Sequence, residues 1–149
     1  MARTVTTSWT ITIDCHDAQV LMRFWKEALG YVESPPPEGF GSWEEWLRHF
    51  DVPEEEWGDG GGLTDPEGRL PNISFLKVPE GKTVKNRIHL DLRVSGGRHV
   101  DQEVRRTRIM AHVDRLVGAG ATVLREDVFD GHLDHVVMAD PEGNELCVV

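Results

Sequence analysis

The residues best suited to chemistry gather in one stretch, Lys85-Asn86-Arg87-Ile88-His89-Leu90-Asp91-Leu92-Arg93-Val94. Polar and apolar residues alternate through most of it, the pattern of a half-buried strand. Ile88, Leu90 and Leu92 then share one face, and Arg87, His89, Asp91 and Arg93 the other. A solvated face has no need of an imidazole and a carboxylate between arginines, so this face is expected to line a polar concavity. Glu145 stands in a second strand-like segment, 144–149, and His132 and His135 lie in or beside a third, 133–139. Imidazole and carboxylate together can ligate a divalent metal or move a proton. Each also has a plain structural role: His89 paired with Asp91 in a cleft wall, Glu145 paired with Arg87 or Lys85, His135 as a satisfied core histidine.

The elements that must position these groups follow from local pattern. Residues 9–15 alternate β-branched and polar and are expected as the first strand. Asp17 caps the helix that follows, Leu21, Phe24, Trp25 and Ala28 form its buried stripe, and Gly30 ends it. Tyr31-Val32 opens a second strand. Residues 33–64 break the pattern: Pro35-Pro36-Pro37 excludes regular structure, and Ser42 with Glu45 forms a capping box for a short helix. Trp43, Trp46, Leu47 and Phe50 share one face of that helix, and a loose glycine run, 58–62, follows Trp57. This insertion is either a surface excursion whose aromatics pack as a satellite cluster, or a lid presenting Trp43, Trp46 or Trp57 to an apolar ligand. Beyond the turn Asp65-Pro66-Glu67-Gly68, strands are expected over 72–78 and 85–94, then a polar connection over 95–108. A helix buries Ile109, Val113, Leu116 and Val117; strands follow over 122–128 and 133–139. The turn Asp140-Pro141-Glu142-Gly143 leads into the last strand.

With 149 residues, 39% of them hydrophobic, the chain suits a single globular domain with a real core. A net charge of −10 argues against general affinity for nucleic acid or an anionic membrane. The basic cluster Lys77, Lys82, Lys85 and Arg87 is expected to be solvated or paired. No apolar run reaches membrane-spanning length, and the start lacks the apolar core of a signal peptide. Cys15 and Cys147 have no metal-ligand spacing and read as buried free thiols of a cytoplasmic protein.

The chain also repeats itself. Ile11-Thr12-Ile13-Asp14 aligns with Ile88-His89-Leu90-Asp91, Gly30 with Gly120, and Asp65-Pro66-Glu67-Gly68 with the tetrapeptide at Asp140. Each half reads as strand, helix, then three strands. One half alone would leave a sheet face bare, so the halves must pair with each other or with another chain.

This doubled unit, with His89-Leu90-Asp91 and Asp140-Pro141-Glu142-Gly143-Asn144-Glu145, resembles the vicinal-oxygen-chelate superfamily. That group includes glyoxalase I, bleomycin-resistance proteins and extradiol dioxygenases, and residues 78–91 and 140–145 are similar to its glyoxalase-like actinobacterial members. The resemblance implies an α+β fold of two βαβββ modules, about 8–80 (with the insertion 33–64) and about 86–149, forming a curved mixed sheet around a central cleft. It also implies a homodimer, and metal ligands on the first and last strand of each module. In the second module these are His89 and Glu145. In the first, Thr12 aligns with His89, and Ile73-Ser74-Phe75-Leu76 supplies no ligand. Two ligands make an incomplete site, which His132, His135 or another subunit would have to complete.

Two functions of different class follow. The first is a module that binds a small, partly apolar drug or natural product, as bleomycin-resistance proteins do. Its pocket is expected to draw on Thr12, Trp43, Trp46, Trp57, Phe75, Arg87, His89, Asp91, His135 and Glu145. The alternative is a lyase, isomerase or dioxygenase dependent on one divalent metal (zinc, iron, nickel or manganese), with Glu145 as its catalytic group. The ligands missing from the first module favour binding; the retained His89 and Glu145 favour the enzyme.

Overall fold

The computed structural model describes Met1 and residues 5–149. The first half contains β1 (Ile11–Cys15), α1 (Ala18–Leu29), β2 (Val32–Glu33), α2 (Trp43–His49), β3 (Gly60–Thr64) and β4 (Ile73–Lys77). The second contains β5 (Leu90–Leu92), α3 (Gln102–Gly118), β6 (Thr122–Phe129), β7 (His132–Ala139) and β8 (Glu145–Val148). The two sheets have the same strand order, β1-β4-β3-β2 and β5-β8-β7-β6, so the sequence repeat is a repeat of topology. In each, the outer pair is parallel and the remaining ladders antiparallel. Over the described residues the fold is mixed α+β with no closed barrel.

Period-2 alternation gives each sheet one buried face. Ile73 and Phe75 of β4, Val136 and Met138 of β7, and Leu146 and Val148 of β8 point into a core shared by both halves. α1 packs on β3 and β4, α3 on β6, β7 and β8, and the two helices touch. Leu21, Ile109 and Leu116 are the helical residues closed off most completely, each 0% exposed.

Asp17 caps α1, accepting from the amides of Gln19 and Val20 at 3.1 Å each. Gly30 ends the helix in the left-handed region at φ 70°, where a side chain would be strained. A second carboxylate arrives from the other half: Glu142 accepts from the amides of His16 at 2.6 Å and Asp17 at 2.9 Å. The Asp17 amide is one of those that the helix itself leaves unpaired, and the His16 amide comes just before it. Glu142→Gln is therefore expected to cost about 1–2 kcal/mol in urea unfolding. Glu67→Gln, at the same place in the first turn, is expected to cost nothing measurable, because the partner of Glu67 among the described residues is surface Arg69.

Four expectations are corrected. The strand expected over 85–94 is regular only at Leu90–Leu92, and Ile88 is 82% exposed. β5 pairs with β8 alone, and β8 begins at Glu145 directly after a tight turn, so nothing lies opposite the residues before His89. Helix α3 starts at Gln102, capped by Asp101; Arg105 joins its buried stripe, and Val117 lies outside it. The glycine run expected to be loose forms β3, where a Cβ on Gly61 would come within 2.7 Å of the Met22 sulfur. Bare backbone there lets α1 approach the sheet. Finally, the halves superpose with a different register. Leu63 and Met138, each two residues before the first residue of its turn, face Ile73 and Leu146, which face Ile11 and Leu90. Thr10 is thus the counterpart of His89, and Thr12 of Asp91. The first half has two more residues between its turn and the paired strand, four between Gly68 and Ile73 against two between Gly143 and Leu146, and these absorb the slip.

Candidate functional site

A hollow of about 400 Å³ lies on the outer face of the second sheet. Its floor is built by β5 and β8. Asp91 faces Cys147 across the parallel ladder, and His89, two residues earlier, projects from the same face. The loop after β5 brings Ser95, Gly97 and Arg98; α3 brings Arg105; β7 brings Asp134 and His135.

Its electrostatics centre on Asp134, whose side chain is only 11% exposed. Arg98 grips it in a two-pronged bond, Nε to Oδ1 at 2.7 Å and Nη2 to Oδ2 at 3.0 Å. His135 Nδ1 lies 2.8 Å from Oδ2, and its Nε2 lies 2.9 Å from Asp127, which Arg125 in turn binds. The Arg98 and His135 hydrogen bonds hold the Asp134 carboxyl well below the usual carboxylate range, against the opposing effect of burial. Arg105, 7% exposed, donates from Nη2 to the Asp134 carbonyl at 3.2 Å. Its Nε is buried without a hydrogen-bond partner.

On the floor, His89 Nε2 lies 3.2 Å from Asp91 Oδ1. The Cys147 thiol lies on the same face as Asp91, and burial first, then the Asp91 charge, pushes it up to about 11. One ligand atom from each of His89, Asp91 and Cys147 lies within 4.8 Å of the others. Nitrogen, oxygen and sulfur donors at that spacing fit a zinc-type ion with a position left open.

The structure therefore brings His89, Asp91 and His135 into one hollow. Glu145 projects beside them, 20% exposed and bound to Lys85, whose ammonium holds its carboxyl below the usual range. Arg87 is exposed in the loop before β5, and His132 is exposed at the start of β7. Thr12 lies on the outer face of the first sheet, opposite Ser74 and away from the hollow. Phe75, 2% exposed, is a core residue. Trp43, Trp46 and Trp57 also lie outside the hollow's lining. Trp43 stacks edge-on to Trp46, Trp46 meets Phe50, and Arg48 sits over the Trp57 ring. The Trp43 and Trp57 indoles donate to the carbonyls of Ser34 and Val52. The expectation that an imidazole and a distant carboxylate meet across a cleft shared by both halves is replaced by a hollow lined by the second half alone.

Arg98, Arg105, Asp134 and Cys147 were not anticipated as site residues. For two of them a signal existed. Arg105 falls on the helical stripe that continues through Ile109, Val113 and Leu116, and a charge there needs a buried partner. Cys147 alternates with Glu145 and so must share its face. The Arg98–Asp134 pair links a loop to a strand and left no mark in local pattern.

A duplicated βαβββ chain with a polar hollow on one sheet defines a vicinal-oxygen-chelate protein. The model of the glyoxalase-like domain family matches residues 10–149, and the chain belongs to that family. Solved structures agree on the fold. A fosfomycin resistance protein from Mesorhizobium loti superposes with a TM-score of 0.62 at 8% identity, covering 97% of this chain and 91% of its own. A glyoxalase/bleomycin resistance protein/dioxygenase family enzyme from Burkholderia phytofirmans gives 0.58 at 17% identity, covering 93% and 94%. A fosfomycin resistance protein from Listeria monocytogenes, described in complex with Mn(II) and 1S,2S-dihydroxypropylphosphonic acid, gives 0.59 at 10% identity, covering 97% and 90%. Comparison with curated proteins finds no match. No helix among the described residues is long and apolar enough to cross a membrane.

Proposed function

We propose that this chain binds a small, partly apolar molecule of the drug or natural-product kind over its second sheet, in the manner of a resistance protein. One observation carries the reading. Arg105 lines the hollow with a buried Nε that has no acceptor, and a buried donor left unpaired costs about 1–3 kcal/mol. A ligand oxygen, such as a carboxylate, carbonyl or phosphonate, answers it, while Val149 offers apolar wall. The resistance proteins among the structural neighbours support the same class of ligand. Bleomycin and fosfomycin are the probes for a thermal-shift and calorimetry test. At least one is expected to raise the melting temperature of the parent protein and to lose that effect in Arg105→Met. Silence from both probes, or an equal shift in the variant, counts against the reading.

The reading extends to a homodimer. Leu76, Val128 and Phe129 are all more than half exposed on or beside the outer sheet faces, and a second copy would cover them. Light scattering is expected to give twice the 16.8 kDa chain mass. Two unpaired buried thiols, Cys15 and Cys147, suit a reducing compartment such as the cytoplasm.

A second reading, a metal-dependent lyase, isomerase or dioxygenase, is favoured by the convergence of His89, Asp91 and Cys147. A bound divalent ion would supply Lewis acidity toward substrate oxygens. His135, held between Asp134 and Asp127, is the chain's own group placed to hold a proton beside them.

A further inference from the structure

We propose that His89, Asp91 and Cys147 form a thiolate-containing divalent-metal site of the zinc type, with Glu145 outside the ligand set. It shares the hollow of the proposed function but needs no organic ligand. Three observations converge on it. The three donor atoms lie within 4.8 Å of one another, close enough for one ion to gather them with small side-chain adjustments. Strand geometry enforces the grouping: Asp91 and Cys147 are direct partners in the β5–β8 ladder, and His89 projects from the same face. All three line a hollow open to solvent, so an ion has an entry path and a free coordination position.

Glu145 is the competing ligand, two residues from Cys147 on the same face, but Lys85 already neutralises it. Donor chemistry then selects the metal. A sulfur, an imidazole and one carboxylate suit zinc or cobalt, whereas an oxygen-rich set would suit manganese or magnesium. Binding balances as a proton exchange: the Cys147 S–H bond breaks, sulfur keeps the pair to bond the metal, and the proton leaves to solvent. No oxidant or reductant takes part. Asp134, Asp127 and Arg98 form the surroundings of this trio, and their charges are already internally paired.

The test titrates untagged, chelator-stripped protein with Zn²⁺ by calorimetry and with Co²⁺ by absorption. One equivalent of Zn²⁺ is expected, with a thiolate-to-cobalt charge-transfer band in the near ultraviolet and the visible bands of a tetrahedral cobalt centre. Cys147→Ser is expected to abolish the charge-transfer band. His89→Ala and Asp91→Asn are each expected to weaken Zn²⁺ binding by more than about 100-fold, beyond what loss of an outer-shell partner causes. Both side chains are about half exposed, so these two variants keep the fold even if the buried cysteine variant does not. Glu145→Gln is expected to leave affinity and spectrum unchanged. The proposal is overturned if wild-type protein binds no stoichiometric metal, if the cobalt spectrum lacks the sulfur band, or if Glu145→Gln abolishes binding. Bleomycin and fosfomycin binding is scored on metal-free protein, so failure of either proposal leaves the other standing.

Discussion

Asp134→Ala is expected to destabilise the protein by about 3–5 kcal/mol, the largest effect of any polar substitution in the site. The carboxylate is the shared anion of three groups: Arg98 in a two-pronged bond, the His135 imidazole at 2.8 Å, and the Arg105 guanidinium at 3.8 Å. Arg98 is 69% exposed and can return to water when its partner goes. Arg105, 8% exposed at its side chain, cannot; its charge would remain inside without an anion. Asp134→Ala/Arg105→Met is therefore expected to recover much of the loss, because it removes both members together. Urea unfolding of the three proteins decides the point. A loss under about 1 kcal/mol in the single variant would place the pair among ordinary surface bridges and show that Arg105 is satisfied otherwise.

The same carboxylate sets a pH dependence whose sign follows from its lowered folded-state value. Below the unfolded carboxylate value, near 3.9, the unfolded chain takes up a proton that the folded chain still refuses. The stabilisation is thus complete above about pH 5 and drains away as pH falls through the unfolded value toward the folded one. Asp134→Asn is expected to be less stable at neutral pH and to lose stability less steeply between about pH 5 and pH 2. Parallel slopes for the two proteins in that window would contradict the assignment.

Much of this architecture was readable in the residue pattern because it is local. Asp17 and Gly30 bound α1 as their chemistry requires, the stripe Leu21, Phe24, Trp25 and Ala28 is buried, and the twin turns at Asp65 and Asp140 mark the duplication. What escaped was set by distance along the chain. A strand exists only where a neighbour offers hydrogen bonds, so the alternation through Ile88 promised more of β5 than β8 can pair. A two-residue slip keeps every side chain on its face, so alternation alone could not tell Thr12 from Thr10 as the counterpart of His89. Conversely, glycines 60–62 carry no strand propensity, yet β3 forms because β4 and β2 offer it hydrogen bonds, and Met22 of α1 packs against the bare backbone of Gly61. The site divided the same way. His89 and Asp91 announced themselves by type and spacing; Arg98, Arg105 and Asp134 meet only after a loop, a helix and a strand have folded together.

Trp25→Ala is expected to cost about 3–5 kcal/mol, and Trp25→Phe about 1–3 kcal/mol, by separable mechanisms. Trp25 is 2% exposed and meets Phe24 edge-on with ring centroids 5.5 Å apart, so truncation to alanine opens a cavity in the shared core. The phenylalanine variant fills most of that space but deletes the indole N–H, which donates to Asp140 Oδ2 at 3.1 Å. Asp140 is 3% exposed and also accepts from the amides of Glu142 and Asn144, so it anchors the turn that delivers Glu142 to the start of α1. One indole thus ties the helix of the first half to the turn of the second. If that tie transmits stability between the halves, Trp25→Phe and Glu142→Gln are coupled, since loosening the turn also withdraws the cap. The double variant is then expected to lose at least about 0.5 kcal/mol less than the two single losses added together. Strict additivity would mean that Glu142 finds α1 without help from the indole, and that the halves are held together by apolar packing alone.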